Sequence, residues 1–217
     1  AALYERRADG RVQCLLCNHR CVIADGHRGI CGVRQCDGGR LFSLVYDRVA
    51  SLAVDPIEKK PLFHFLPGSR SLSLATVGCN FRCDFCQNWS ISQLPRSGGS
   101  FPGESVEPDA VVRLAMTRGC ASISFTYTEP TIFYELTRAV GLRARAQGIR
   151  NVYVTNGYMS LEAIGEMVDF LDAANVDLKA FTEDFYRRYC GARLAPVLES
   201  IRALHGAGVW LEVTTLI

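Results

Sequence analysis

The chain has 217 residues, enough for one sizeable domain or for one domain with a small appendage. Hydrophobic residues make up 48% of it and the formal net charge is +2, without blocks of like charge, so nucleic acid is not an expected partner. No apolar run reaches the roughly 18 residues of a membrane span, and residues 1–11 lack the apolar stretch of a secretory signal, so neither a membrane partner nor secretion is expected.

Ten cysteines are the outlying feature. They fall into two tight groups, Cys14/Cys17/Cys21/Cys31/Cys36 and Cys79/Cys83/Cys86, with Cys120 and Cys190 apart. Cysteines two to four residues apart usually share a metal rather than bond each other, because so short a loop strains a disulfide. That chemistry suits a reducing compartment, and a cytoplasmic location is expected.

In chain order, residues 1–40 form a Cys- and Gly-rich segment with little apolar periodicity. It is expected to bury little core and to be held by metal. Residues 41–46 and 49–54 predict two short strands paired as a hairpin. Residues 55–69, with Pro56, Pro61 and Pro67, read as a loop, so 41–70 is hairpin plus linker. A strand at 71–77 leads into the second cysteine group. Then follow a helix at 107–118 opened by Pro108, a strand at 121–126, and a helix at 131–147 stopped by Gly148. A strand at 151–155 precedes a helix at 160–173 with Ser160 as its N-cap. A strand at 175–178, helices at 182–189 and 195–207, and a strand at 210–217 complete the chain.

This alternation predicts an α/β fold with a parallel sheet and helical crossovers. Near-continuous apolar strands fit burial on both faces. Five units are too few for a closed eight-fold barrel. Residues 71–217 therefore predict a partial TIM-like barrel, and the ending inside a strand reads as truncation of a longer protein.

Parallel α/β folds bind ligands at the carboxyl ends of their strands. Five polar sets stand there: Cys79/Cys83/Cys86, Thr126–Pro130, Thr155-Asn156-Gly157, Asp177-Leu178-Lys179, and Glu212 with Thr214 and Thr215. Any one alone reads more readily as capping or turn chemistry. All five are expected to converge on one mouth. In Cys79-Asn-Phe-Arg-Cys83-Asp-Phe-Cys86, three thiolates can grip three corners of a cubane cluster. A four-iron cluster wants four thiolates, so one iron would stay open. Zinc is the rival, since thiolates select soft metals generally.

A Cys-x3-Cys-x2-Cys loop after the first barrel strand, with Phe85 before the third cysteine, resembles the radical S-adenosylmethionine (SAM) superfamily. Asp55-Pro-Ile-Glu-Lys-Lys-Pro-Leu-Phe-His-Phe-Leu-Pro-Gly68, Gly78-Cys-Asn-Phe-Arg-Cys-Asp-Phe-Cys-Gln-Asn-Trp89 and Tyr127-Thr-Glu-Pro130 are similar to the AmmeMemoRadiSam-system radical SAM proteins, relatives of the pyruvate formate-lyase activating enzymes. The resemblance implies a [4Fe–4S] cluster on Cys79, Cys83 and Cys86, with SAM chelated at the open iron. One electron, from a donor such as flavodoxin or ferredoxin, would cleave SAM to a 5′-deoxyadenosyl radical. That radical abstracts hydrogen from an unassigned substrate, a protein being one option.

Carried over by residue, Thr128-Glu129-Pro130 stands where the superfamily has Gly-Gly-Glu-Pro, so Glu129 would meet the SAM amino group. Tyr127 and Thr128 replace the two glycines. Thr155 and Asn156 would contact the SAM carboxylate or ribose, and Lys179, beside Asp177, would neutralise the carboxylate. The backbone around Phe85 would meet the adenine. Val154 stands where the activating enzymes carry Asp, which puts in doubt a cation site there. The structural alternatives are turn chemistry for Thr155 and Asn156 and a sheet-rim ion pair for Asp177 and Lys179.

Cys14, Cys17, Cys21 and Cys31 are a second metal-like set. Four thiolates suit a structural zinc site that staples a segment too small for its own core. The spacing equally allows an auxiliary iron–sulfur cluster. His19 is an alternative ligand, and Cys36 lies outside the pattern. Three functions follow: a radical SAM oxidoreductase, a glycyl-radical-enzyme activating enzyme, and a non-catalytic zinc-binding interaction module.

Overall fold

The computed structural model describes residues 1–97 and 101–215. Five parallel strands dictate its frame. In chain order the elements are β1 (Tyr4–Arg6), β2 (Val12–Cys14), β3 (Val22–Ile23), β4 (Arg34–Asp37), β5 (Arg40–Ser43), β6 (Arg48–Val49), β7 (Ser51–Pro56) and β8 (Arg70–Ala75). They continue with α1 (Trp89–Ser92), β9 (Glu104–Ser105), α2 (Pro108–Thr117), β10 (Ser122–Phe125), α3 (Tyr134–Ala146) and β11 (Arg150–Thr155). The last are α4 (Leu161–Met167), β12 (Ala173–Leu178), α5 (Glu183–Phe185), α6 (Leu194–Gly206) and β13 (Trp210–Thr215). Residues 216 and 217 of the expected last strand lie outside the described residues.

The main sheet runs β13-β12-β11-β10-β8-β7. Its five strands from β8 to β13 are mutually parallel, and β7 pairs antiparallel to β8. Among the described residues no helix is long and apolar enough to cross a membrane.

The hairpin expected at 41–54 does not form. β5 pairs instead with β4 through Gly38 and Gly39, both at positive φ, the left-handed pair that a tight two-residue turn demands. β7 is thereby released to extend the main sheet. The helix expected over 160–173 stops at Met167. Phe170 turns inward there and is fully buried, so close to α3 that a Cβ on Gly141 would lie 2.4 Å from its ring.

Residues 1–40 bury more core than their pattern suggests. Val12, Leu16, Ile23 and Val33 share one apolar cluster with Leu72, Ile123, Tyr153 and Val176. Residues 15–18 run along the loop after β11: Asn18 N–H donates to Tyr158 O at 3.0 Å and Ser160 N–H to Leu16 O at 3.2 Å. Ser160 does cap α4, accepting from the Ala163 N–H at 3.1 Å, and also donates to Leu15 O at 2.6 Å.

One stretch of the sheet is polar rather than apolar, with the Ser71 and Ser124 hydroxyls 2.6 Å apart and buried. Residues 57–65, expected as loop, lie across the sheet. Lys60 is fully buried against Asp55 at 2.7 Å, and Pro61 O accepts from Asn175 Nδ2 at 3.0 Å. The N–H groups of Phe63, His64 and Phe65 converge on the Glu212 carboxylate.

Candidate functional site

Four strand ends meet around the cysteine loop that leaves β8. Asn156, after β11, donates from Nδ2 to Asn80 Oδ1 at 2.7 Å, and the same nitrogen lies 3.8 Å from Cys79 Sγ. Thr128, after β10, donates to Thr76 O at 2.9 Å. Lys179, after β12, lies within electrostatic reach of Cys83 and Cys79. The fifth set does not join them: Glu212 is spent on residues 63–65 and Thr214 on Asn175.

Glu129 is fully buried. Its Oε1 accepts from Thr131 N at 3.0 Å, Thr131 Oγ1 at 2.5 Å and Thr155 Oγ1 at 2.8 Å, and its Oε2 from Asn156 N at 2.8 Å. Burial pushes its pKa up, and those four donors oppose the shift. With both oxygens engaged, the carboxylate ties the ends of β10 and β11 together.

Asp177 and Lys179 form a close ion pair. Burial works against the Lys179 charge, but Asp177 and the Cys83 and Cys79 sulfurs outweigh it and hold the ammonium above its ordinary value. Phe85 is partly exposed and packs on Phe185, with ring centroids 5.7 Å apart. Phe81 N–H donates to Cys79 Sγ at 3.4 Å, and Arg96 Nη2 donates to Cys79 O at 2.9 Å.

The contacts of several site residues cannot be read from sequence motifs. Tyr127, at φ +65°, keeps a left-handed backbone in a position where the superfamily has glycine. Its hydroxyl donates to Asp55 Oδ2 at 2.5 Å, Lys60 Nζ sits 4.4 Å from its ring centroid, and Asn88 Nδ2 donates to its carbonyl at 2.7 Å. These contacts hold a conformation that costs an L-residue about 1–2 kcal/mol. Cys190 shares a hydrogen bond with Cys83, placing a fourth thiol beside the triad that sequence spacing cannot reveal. His19 Nε2 lies 2.8 Å from Asn80 O.

The cysteine loop fits an iron–sulfur cluster by its donor set: three thiols on one loop, backbone and amide N–H groups at Cys79, and cations at Arg96 and Lys179. Asn80 Nδ2 is buried there without a hydrogen-bond partner. Among the described residues no three His, Cys, Asp or Glu side chains already stand in ligating positions. Cys14, Cys17, Cys21 and Cys31 line a separate small cavity together with His19 and Arg34. A wider cavity lies at the opposite ends of the strands, among Arg150, Asp172 and Trp210, away from both cysteine groups.

Residues 73–217 match the model of the Radical SAM superfamily. An uncharacterized protein of Methanocaldococcus jannaschii, MJ0808, is 45% identical over 217 residues, which are 100% of this chain and 64% of that protein. A probable GTP 3′,8-cyclase of Sulfolobus acidocaldarius is 27% identical over 141 residues, 62% of this chain and 42% of its own length. The crystal structure of Streptococcus suis SuiB aligns with 64% of this chain and 30% of its own at 14% identity and a TM-score of 0.49. The chain thus spans 64% or less of the length of these curated relatives. The superfamily match covers two-thirds of the chain, from β8 through the cysteine loop to the end, and the chain belongs to the Radical SAM superfamily.

Proposed function

We propose that the chain is a radical SAM oxidoreductase of the AmmeMemoRadiSam type, with Cys79, Cys83 and Cys86 holding a [4Fe–4S] cluster and SAM at its open iron. The carrying observation is the bond from Asn156 to Asn80, which seats the end of β11 directly on the cluster loop. Cluster and SAM, when bound, supply reductive cleavage of SAM and hydrogen abstraction from a substrate.

The chain's own groups orient and shield that chemistry. Glu129 serves as a positioning residue: it fixes Thr155 and the Asn156 backbone, leaving the Asn156 side chain to face the loop. Lys179 offers an ammonium that donates to Asp177, and a ligand carboxylate can compete for it. The backbone around Phe85 would meet the adenine. Tyr127 couples the β10 end to Asn88 on one side and to Asp55 and Lys60 on the other. An external flavodoxin or ferredoxin would deliver the electron, and a protein substrate is compatible with a barrel open on one side. A reducing, cytoplasmic setting is part of this reading, because thiolate ligands need reduced cysteines.

The test is anaerobic reconstitution with iron and sulfide, then dithionite and SAM, with 5′-deoxyadenosine measured by chromatography. The wild-type chain should produce it and Cys83→Ala should lose both iron and product. An intact cluster that yields no 5′-deoxyadenosine overturns the reading.

A further inference from the structure

We propose that Cys14, Cys17, Cys21 and Cys31 form a second metal site, a tetrathiolate for one divalent ion of the zinc class, which pins the N-terminal segment onto the cluster loop. Four independent features converge on it. Cys14 ends β2 and the other three stand on the loops that follow, yet all four line one cavity. That cavity measures about 10 Å³, room for one water-sized body such as a single ion.

Backbone donors already address the sulfurs. The N–H of His19 reaches Cys17, that of Ile30 reaches Cys21, and that of Val33 reaches Cys31. Two of these link a cysteine to the residue two further on, the short turn that presents N–H groups to a bound thiolate. A neutral thiol gains little from such donors, whereas a metal-bound thiolate gains a charge-assisted bond.

Arg34 provides the third feature. It lines the same cavity, is 2% exposed, and its Nε has no hydrogen-bond partner among the described residues. Its Nη1 is taken by Glu135 at 2.9 Å and its Nη2 by Ala2 O at 2.6 Å. A buried unpaired donor on a cation is costly. Four thiolates around a divalent ion carry a net charge of −2, and a guanidinium beside them compensates part of it.

The fourth feature is what the site would hold in place. Cys17 pairs through its backbone with Met159 in the loop after β11, and His19, two residues on, meets Asn80 O and packs tilted against Tyr158 at 4.8 Å between centroids. A metal on Cys17 therefore fixes both the β11 loop and the residue next to Cys79. The site itself does not depend on the radical SAM reading, because its ligands are a different set of cysteines.

The two are separated by using the full chain with Cys79, Cys83 and Cys86 all replaced by alanine. Metal analysis of that variant, purified with zinc, should give about one zinc per chain, and cobalt substitution should give the thiolate-to-metal charge-transfer and d–d bands of a tetrahedral site. Adding Cys17→Ser and Cys31→Ser should remove both signals. Should that last variant fail to fold, the cobalt spectrum of the triple variant still decides. Absence of stoichiometric metal overturns the proposal, as does iron with acid-labile sulfide retained on these four cysteines.

Discussion

Asn156 Nδ2 donates to Asn80 Oδ1 at 2.7 Å, and the Asn156 carbonyl oxygen Oδ1 accepts from the Tyr158 N–H at 3.0 Å. One amide thus joins the loop after β11 to the cluster loop and shapes its own turn. Asn156→Ala strips both bonds in a region where Asn80 is 1% exposed. The expected cost is about 1–3 kcal/mol, read as a lower Tm, together with less iron per chain after anaerobic reconstitution. Asn156→Asp should be worse, because it points an oxygen at Asn80 Oδ1. Unchanged Tm and iron in both variants would show that the bond does not hold the loop.

Gly78 is the hinge between β8 and the cysteines. It sits at φ +99°, and a Cβ there would lie 2.7 Å from Val33 Cγ1, 3.0 Å from Ile132 Cδ1 and 3.1 Å from Cys31 O. Gly78→Ala combines backbone strain with a clash against the N-terminal segment. Gly148, at φ +74° after α3, has nothing within 4 Å of such a Cβ. Gly148→Ala should cost about 1–2 kcal/mol from conformation alone. Urea denaturation should show Gly78→Ala to be clearly the more destabilised of the two. Equal midpoints would mean that the N-terminal segment yields to the extra methyl.

Glu129 accepts four hydrogen bonds inside the protein, so its value is in what it orders. Glu129→Gln replaces one acceptor oxygen with an amide that meets donors: Thr131 N–H and Thr155 on one side, or the Asn156 N–H on the other. At least one buried donor is left unpaired, at about 1–3 kcal/mol. SAM affinity of the reconstituted protein, measured by equilibrium binding, should weaken because Asn156 is displaced. A glutamine variant with wild-type Tm and affinity would show that the carboxylate is dispensable as a brace.

The parallel frame was legible because strand and helix periodicities are local, and the cysteine groups because their spacing is local. The pairing of β7 was not, since Gly38-Gly39 rather than residues 47–48 makes the tight turn. The roles of residues 57–65 were hidden for a related reason. Lys60 reads as a surface lysine in any sequence window, and only the return of the chain across the sheet brings it to Asp55 and Tyr127. Likewise Arg34, His19 and Cys190 act through partners 61 to 107 positions away, at Glu135, Asn80 and Cys83. The quoted motif around Asp55 marked the segment without disclosing its contacts.

Asp55 should control part of the acid stability. Its side chain is 7% exposed and accepts from Lys59 at 2.8 Å, Lys60 at 2.7 Å and Tyr127 at 2.5 Å. Burial works against the carboxylate, but these bonds outweigh it and hold its pKa well below the ordinary carboxylate value. A depressed folded-state pKa contributes stability that is fully present above the unfolded value of about 4 and is lost as pH falls below it. Burial holds Lys60 below its usual value, and its bond to Asp55 opposes that shift. Asp55→Asn should therefore do two things. At neutral pH it leaves Lys60 buried without its counter-charge, at about 3–5 kcal/mol. Between pH 5 and 3 its Tm should fall less steeply than that of the wild type, because the titrating group is gone. Circular dichroism melts across that range read both effects, and parallel acid slopes in the two proteins would remove Asp55 from the account.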